Sequence, residues 1–565
     1  MFNRRHVLSL VLGTTALSGC GFSGMIRPGP RTDLPGVGID VHMHLFNGTD
    51  VPVLGWLDQV DFTSESGGSL PDITKSPLVR MIVSFLASTT QTAQCELKNL
   101  PARLPRPSTG QMRQEGIERL AGFLVAYQAK TVGPDRMTLL PATDAERQRE
   151  DRQLFADLAD AAGVPDAGLE TAAMAVPEAA PVAGPEAGVL SRAAAPAALP
   201  TPQNAARQIA EGLYDPQNQA GDPRKETIAG MIQWAELMTR DRAQIVQQAV
   251  NLYGRPGEVQ VFCNHLLDLT YWLRASEVNQ SEPDAVIRLF AELSARRDDV
   301  LVLNFTGFCP LRAAIEGDTA HARIRRAITE HGFAGVKLYP PMGFKPLENP
   351  GVSFAHARVR PAGGGAALDR ELRKLYEWCQ ENDVPIAAHA SASMGAGPGT
   401  SGYSAPWLWA PVLREYPSLR VNLAHFGGFG GHGNPQWERE LTAMLDDFPT
   451  LYFDTGFWTE VTTGASTRAA ALAETRRLFD QEPIAVQRMM YGSDWSMIAR
   501  LQGHPAYLNG LKSFVDELTD DAAQSGDVMG RNARRWLGLD RDGPQMQRLA
   551  RFHGTHRVWS RLAAG

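Results

Sequence analysis

Short runs of apolar and β-branched residues recur along the chain from residue 37, and they alternate with longer segments of helical periodicity. This alternation predicts repeated strand–helix units and a parallel sheet, because parallel neighbours need a crossover between them. Eight runs have the length and composition of buried strands. They are 37–42 (VGIDVH), 259–264 (VQVFCN), 300–305 (VLVLNF), 334–339 (AGVKLY), 385–389 (PIAAH), 420–425 (RVNLAH), 450–454 (TLYFD) and 488–493 (RMMYGS).

The spacing of these runs predicts the fold class. From the second strand onward, equivalent points are about 30 to 50 residues apart, enough for one strand, one helix and their loops. Segments between them, such as 284–296 and 367–382, place apolar residues at i, i+3, i+4 and i+7. We therefore predict an α/β protein with a (β/α)₈ TIM barrel over residues 36–540, followed by a C-terminal tail over 541–565.

The gap between the first and second strands is much longer than one crossover requires. Residues 50–255 separate them, and we predict a large, mostly helical insertion there. Helices are expected over 110–130 and 225–254, with a flexible Ala/Pro-rich stretch at 161–207. Because the insertion leaves from the carboxyl end of strand 1, it is expected on the face that carries active sites in this fold. Both a cap or lid and a separate interaction domain are consistent with this pattern.

The first twenty residues have the pattern of an export signal. Two arginines precede a short apolar run, which ends in Leu-Ser-Gly-Cys at 17–20. This ending resembles a bacterial lipobox, in which Cys20 becomes the lipidated amino terminus; an ordinary cleaved signal is the alternative. With Gly21 next, the resemblance implies an anchor in the outer membrane, facing the periplasm. Residues 21–35 are expected to be a tether.

Composition argues against two classes of protein. Apolar residues make up 43% and charged residues 21% of the chain, with a formal net charge of −7 and both signs interspersed. A nucleic-acid-binding surface would need a concentrated basic face. After the N-terminus, no run approaches the roughly 20 apolar residues of a membrane span. The four cysteines other than Cys20 match no zinc-binding or CxxC spacing, and the sequence does not pair them.

Polar residues with metal-binding chemistry end several predicted strands, where a TIM barrel places its active site. His42 and His44 are two residues apart on strand 1, so both imidazoles point to the same side. His389 ends strand 5, His425 ends strand 6, and Asp494 ends the YGSD run of strand 8. Three imidazoles and one carboxylate from this set suit Zn²⁺ or another divalent transition metal with an open position for water.

The motifs at these strand ends, taken together, resemble a known superfamily. DVHMH, GVKLYPP, AAHAS, LAHFGG, YFDTG, YGSDW and GRNARRWLGL resemble the amidohydrolase superfamily. More narrowly, they resemble its branch of TIM-barrel metal-dependent hydrolases that includes the aminocarboxymuconate-semialdehyde decarboxylases. The motifs span residues 37–539 but leave out the insertion and the tail.

The resemblance implies a role for each of these residues. His42, His44, His389 and Asp494 would hold one metal ion. Asp494 would also take a proton from the metal-bound water. His425 would be the catalytic imidazole that polarises the substrate or acts as general base.

Other residues near the predicted site have open roles. Lys337 on strand 4 binds a substrate carboxylate or phosphate, or is carboxylated and bridges a second metal as in other amidohydrolase branches, or is structural. Asp454 on strand 7 is expected to orient a ligating imidazole rather than to bind the metal. Tyr339 and Phe344 line the pocket or simply pack. His265, just beyond strand 2, is within reach of the pocket.

The resembled branch contains hydrolases, decarboxylases and hydratases, so it leaves the reaction open. We expect hydrolysis of a small ester, lactone or amide by a metal-activated water. Non-oxidative decarboxylation, with the metal acting mainly as a Lewis acid, is the first alternative. A non-catalytic binding lipoprotein is the second. The expected partners are a small-molecule substrate and the outer membrane, and no motif specifies the substrate or the oligomeric state.

Overall fold

The eight predicted strands form one parallel sheet whose order follows the chain from β1 to β8. The strands are β1 (Gly38–Met43), β2 (Val259–His265), β3 (Leu301–Gly307), β4 (Gly335–Leu338), β5 (Ile386–Ser391), β6 (Val421–Gly427), β7 (Leu451–Asp454) and β8 (Met489–Met490). The structure, a computed structural model, describes residues 32–34, 36–60, 77–131, 144–164, 202–215, 227–274, 280–428, 435–462, 464–501, 503–519 and 521–564. The export signal with Cys20 lies outside these residues, as do most of the tether and most of the 161–207 stretch.

The first and last strands are joined through the chain that follows β8. Met43 forms a parallel bridge with Trp495, and the amide of Asp494 donates a hydrogen bond to the carbonyl of His42 at 2.8 Å. These contacts bring the two edges of the sheet together into a nearly closed (β/α)₈ TIM barrel. The predicted fold class is confirmed.

The observed strand ends lie within one or two residues of the predicted ones, except at β8. That strand was predicted over 488–493, but its ladder with β7 covers only Met489 and Met490. The chain leaves the ladder there because the amide of Tyr491 donates to the carbonyl of Val528 at 3.0 Å rather than to β7. The prediction was too long at its carboxyl end.

Helices fill the crossovers and the long connection between β1 and β2. Those between β1 and β2, within the described residues, are α1 (Val53–Gln59), α2 (Pro77–Thr89), α3 (Ala93–Asn99), α4 (Thr109–Thr131), α5 (Asp144–Ala161), α6 (Pro202–Leu213), α7 (Ile228–Met238) and α8 (Arg242–Tyr253). The others are α9 (Pro283–Arg296), α10 (Pro310–Glu316), α11 (Asp318–Glu330), α12 (Gly364–Glu381), α13 (Ala410–Glu415), α14 (Pro435–Ala443), α15 (Ala465–Gln481), α16 (Tyr507–Thr519), α17 (Ala522–Gly526), α18 (Asn532–Trp536), α19 (Pro544–His553) and α20 (Trp559–Ala564). None of the helices in the described part of the chain is long and apolar enough to cross a membrane.

The segment 225–254, predicted as helical, is two helices rather than one. The break falls after α7, where the hydroxyl of Thr239 donates to the carbonyl of Glu236 at 2.7 Å. Asp241 then takes an extended conformation with φ −61° and ψ 143° before α8 begins. Threonine and aspartate compete with the helix for backbone hydrogen bonds, which explains the interruption.

The helices between β1 and β2 pack into the same hydrophobic cluster as the barrel. Phe85 of α2, Leu124 of α4 and Ile209 of α6 belong to this cluster, together with Trp495 and Tyr507 of the barrel. The described helices of the insertion are therefore continuous with the barrel core. Whether they act as a cap remains a prediction.

A second cluster fills the barrel interior at the end away from the histidines. The ring of Trp536 stacks on Phe305 with centroids 5.2 Å apart, and Trp559 and Leu562 are buried in the same cluster. The 541–565 stretch thus forms α19 and α20 against the barrel. Cys263, Cys309 and Cys379 are buried and Cys95 is exposed, and all four thiols are free.

Candidate metal centre

The two histidines of β1 lie together at the carboxyl end of the barrel. Both are almost fully buried, and their ring centroids are 5.3 Å apart. A register shift between Asp40 and Met43 interrupts the ladder with β2 at this point. A bulge of this kind redirects side chains at the rim of a barrel.

Asp494 brings a carboxylate to the same place from the segment after β8. Its Oδ1 lies 3.5 Å from His42 Nε2 and 3.3 Å from His44 Nε2. Asp494 has a left-handed backbone with φ 57°, which aspartate adopts more readily than most residues. Ligand atoms of the three residues all lie within 4.8 Å of one another, so they form a group able to hold a metal ion.

Hydrogen bonds on the far side of each imidazole fix which nitrogen faces this group. His44 Nδ1 lies 2.8 Å from the carbonyl oxygen of His265, and His42 Nδ1 lies 3.3 Å from Asp454 Oδ1. A carbonyl or carboxylate oxygen only accepts, so each Nδ1 carries the proton and each Nε2 presents a lone pair. Asp494 Oδ1 receives no hydrogen bond among the described residues. Three electron-pair donors therefore converge, which fits a divalent cation.

Burial of the site favours neutral imidazoles and opposes ionisation of Asp494. Burial lowers the pKa of His42 well below its usual range and that of His44 to about 3, and the charge of Lys337 acts in the same direction. The imidazoles are thus in the neutral form that binds metals. Burial raises the pKa of Asp494 well above its usual range, while Lys337 opposes the shift. A bound cation would likewise favour the ionised carboxylate.

Lys337 on β4 reaches into the same group. Its Nζ donates a hydrogen bond to His42 Nε2 at 3.2 Å, and the residue is 1% exposed. Burial lowers its pKa to about 8, against the opposing charges of Asp454 and Asp494. Lys337 and a metal ion are thus alternative partners for the same imidazole lone pair.

Asp454 on β7 has the contacts of a supporting carboxylate. Its Oδ1 accepts from the backbone amides of His425 and Gly456 at 3.1 and 2.9 Å, in addition to His42 Nδ1. Its Oδ2 accepts from Asn422 Nδ2 at 2.7 Å. All of these bonds orient the groups around the site, and Asp454 is not among the three residues that form the metal-binding group.

Gly456 lies where no side chain fits. A Cβ at this position would be 2.7 Å from His42 Nδ1 and 3.0 Å from Asp454 Oδ1. Its carbonyl accepts from His425 Nδ1 at 2.9 Å. The glycine therefore lets the backbone approach both imidazoles closely.

His389 and His425 pair with each other. His389 Nδ1 and His425 Nε2 are 3.0 Å apart, and His425 has a left-handed backbone with φ 72°. Because His425 Nδ1 is bonded to a carbonyl oxygen, its Nε2 is the acceptor when the ring is neutral, and His389 Nδ1 donates to it. Of the four predicted ligands, three come together, and His389 is held beside them by His425.

The other residues that the sequence placed near the site lie in different environments. Tyr339 packs its ring 4.7 Å from that of His389, whereas Phe344 stacks on Trp272 at 6.0 Å. His265 lies in the site, with its ring 4.8 Å from His42 and both ring nitrogens buried without a hydrogen-bond partner in the described structure. The sequence signal for His265 was its position at the end of a strand, the same as that of the other histidines.

One protein-family model matches part of the chain. The amidohydrolase family model matches residues 266–539, a little less than half of the chain, including His389, His425 and Asp494. No curated protein matches the chain significantly.

Several solved structures are similar at low identity. A probable 2-pyrone-4,6-dicarboxylic acid hydrolase from Acinetobacter baumannii with citric acid bound is 12% identical, with a TM-score of 0.31 over 50% of this chain and 84% of that chain. An amidohydrolase from Burkholderia multivorans with bound zinc is 13% identical, with a TM-score of 0.33 over 52% and 87%. A 5-carboxyvanillate decarboxylase from Novosphingobium aromaticivorans with bound manganese is 12% identical, with a TM-score of 0.33 over 55% and 84%. Similarity at this level does not choose between reactions.

Proposed function

We propose that the chain is a metal-dependent hydrolase of the amidohydrolase type, acting on a small ester, lactone or amide. The observation that carries the proposal is the convergence of His42 Nε2, His44 Nε2 and Asp494 Oδ1, three atoms that can each give an electron pair to a metal ion. Two imidazoles and a carboxylate at this spacing suit a divalent metal ion. His42, His44 and Asp494 would hold one Zn²⁺ or similar ion, with His389 as the fourth ligand.

The chemistry follows from what surrounds that set. A bound ion of this kind lowers the pKa of water toward neutrality and polarises a carbonyl group. The carboxylate of Asp494, whose Oδ1 receives no hydrogen bond within the described part of the chain, is suited to accept a proton from the attacking water. His425 Nε2 is the acceptor of its ring and is suited to polarise the substrate once protonated, or to act as base.

Lys337 is proposed to bind an anionic group of the substrate. A buried ammonium group is stabilised by an opposite charge within hydrogen-bonding distance, whereas Lys337 Nζ donates to the neutral imidazole of His42. A carboxylate or phosphate on the substrate would provide that charge. If Lys337 is carboxylated instead, the protein should bind two ions, which metal analysis distinguishes.

The same lysine favours one alternative, non-oxidative decarboxylation of a carboxylic acid. In that reaction Lys337 would hold the substrate carboxylate beside the ion rather than a remote anionic group. Product analysis separates the two reactions, since decarboxylation releases CO₂ and hydrolysis releases an alcohol or amine together with an acid.

The test is a turnover screen on zinc-loaded and metal-free protein. Small esters, lactones and amides, with and without a carboxylate, should be hydrolysed only by the loaded protein. Turnover confined to aromatic carboxylic acids with CO₂ release would favour the alternative. A protein that binds such compounds but turns none over, with metal bound, would be a binding lipoprotein.

Export and lipid anchoring on Cys20 are a separate proposal that rests on the sequence of residues 17–20. Expression in a bacterial host should place the protein in the outer-membrane fraction. Cys20→Ser should release it from the membrane. Equal fractionation of the two forms would contradict the lipid anchor.

A further inference from the structure

The loop after His44 is hydrogen-bonded to the insertion along most of its length. The amide of Gly48 donates to the carbonyl of Met238 at the end of α7, at 2.8 Å. Asn47 Nδ2 donates to the carbonyl of Arg240 at 3.3 Å. This loop, residues 47–50, begins three residues after a proposed metal ligand.

Arg242, the first residue of α8, is the centre of these contacts. It is fully buried, and its Nε donates to Asp50 Oδ2 at 2.8 Å and its Nη1 to Glu96 Oε1 at 2.5 Å. Its Nη2 also donates to the hydroxyls of Thr49 and Ser281, at 3.1 and 2.8 Å. A buried guanidinium is tolerated only when its partners are all in place, so the loop and the insertion fix each other.

The same part of the insertion also lies against the chain that follows Asp494. Gly230 of α7 is so close to the short 3₁₀ helix at Met497–Arg500 that a Cβ on it would be 2.4 Å from the carbonyl oxygen of Arg500. Only glycine permits this approach. Helices α7 and α8 therefore contact the segments that follow two metal-binding residues, one from each edge of the sheet.

We propose that α7 and α8 hold the 47–50 loop and the 3₁₀ helix at Met497–Arg500 in place, an arrangement called the clamp below. Arg242 is then a positioning residue for the metal centre. It touches neither the proposed metal nor the substrate; it acts through Asp50 and the 47–50 loop on the backbone that carries His44. The inference rests on the proposed metal site. It gives the insertion a role in metal binding that does not depend on covering the barrel.

The test compares two buried arginines of similar chemistry. The side chain of Arg240 is 2% exposed and pairs with Glu236 and Glu115, which both belong to the insertion. The contact of Arg240 with the 47–50 loop is through its backbone carbonyl, which the substitution keeps. Zinc affinity is measured by competition with a chelator, and the cobalt-substituted proteins are compared by their visible absorption spectra. Arg242→Met should weaken zinc binding about 10- to 100-fold, the usual effect of losing a partner that orients a ligand, and should alter the cobalt spectrum. Arg240→Met should leave both readouts as in the unchanged protein.

A second pair of variants keeps the inference testable if Arg242→Met does not fold. Gly230→Ala adds one methyl group against Arg500, whereas Gly122→Ala on α4 adds the same group where nothing lies within 4 Å. The first should weaken zinc binding and the second should not. Unchanged affinity in folded Arg242→Met or in Gly230→Ala, or equal losses in Arg240→Met, would overturn the clamp. Absence of zinc binding by the unchanged protein would overturn the proposed function, and the clamp with it.

Discussion

His389 Nδ1 lies 3.0 Å from His425 Nε2, so the two imidazoles that the resemblance assigns to different tasks are joined by one hydrogen bond. His425 Nδ1 is fixed by the carbonyl of Gly456, which leaves Nε2 as its only proton-accepting atom. His389 therefore occupies the atom that catalysis by His425 would use. The lone pair with which His389 could bind a metal is on its other ring nitrogen, Nε2, so metal binding by His389 is compatible with this hydrogen bond.

The first prediction separates ligand from catalyst at this pair. His389→Ala should lower metal content and activity together, because it removes a ligand. His425→Asn should keep the metal and cut kcat by about 10² to 10⁴, the range for a lost acid–base group. Metal content and kcat are measured for both variants. Should His425→Asn release the metal while His389→Asn keeps it, the two roles are exchanged.

The second prediction concerns Asp454, which accepts four hydrogen bonds around the site. Asp454→Asn replaces an accepting oxygen with a donating amide, so at least one of these bonds becomes a donor–donor contact. Zinc affinity should fall about 10- to 100-fold through the loss of orientation of His42. Chelator competition measures the change.

A carboxylate outside the site provides the control for that variant. Asp369 accepts from the amide and side chain of Asn349, at 3.0 and 2.6 Å. Asp369→Asn should lower stability without changing zinc affinity. Equal losses of affinity in both variants would mean that Asp454 has no particular role in orienting the ligands.

The third prediction is a pH dependence of stability from Glu438 on α14. The side chain is buried, and burial raises its pKa to about 8, with the charges of Glu474 and Glu460 adding to the shift. Since the folded pKa lies above the ordinary glutamate value of 4.5, the stabilisation is complete below pH 4.5 and is lost as pH rises through 8. The loss is roughly 5 kcal/mol at most by pH 9.

Glu438→Gln removes this titration. The variant should match the unchanged protein near pH 4.5 and be more stable at pH 9, as measured by urea denaturation of the metal-free proteins across that range. Parallel stability curves for the two proteins would show that Glu438 does not titrate in this way.

The barrel was predictable from the sequence because buried parallel strands are short continuous apolar runs, and their order along the chain is their order in the sheet. The site was partly predictable for the same reason, since strand ends meet at one face and carry His42, His389 and Asp454. The hydrogen bond between His389 and His425 was not predictable, because it depends on the positive φ of His425. Periodicity does not report such local backbone conformations.

The contacts of the insertion could not be predicted from the sequence for a different reason. Arg242 is 192 residues from Asp50 and 146 from Glu96, and no pattern of apolar positions specifies which charges meet. The sequence also could not predict that the ring nitrogens of His265 have no hydrogen-bond partner in the described structure, because this depends on the groups that surround the ring.

The measurement that tests the central claim most directly is the metal content of the purified protein and of two variants. The unchanged protein should hold about one equivalent of zinc or a similar divalent ion, and His42→Ala and Asp494→Ala should each lose it, because a small site does not tolerate the loss of a ligand. His321→Ala, which removes a buried imidazole bonded to Glu371 on α12, should keep the metal. Full metal content in His42→Ala and Asp494→Ala, or full activity in metal-free protein, would contradict the account.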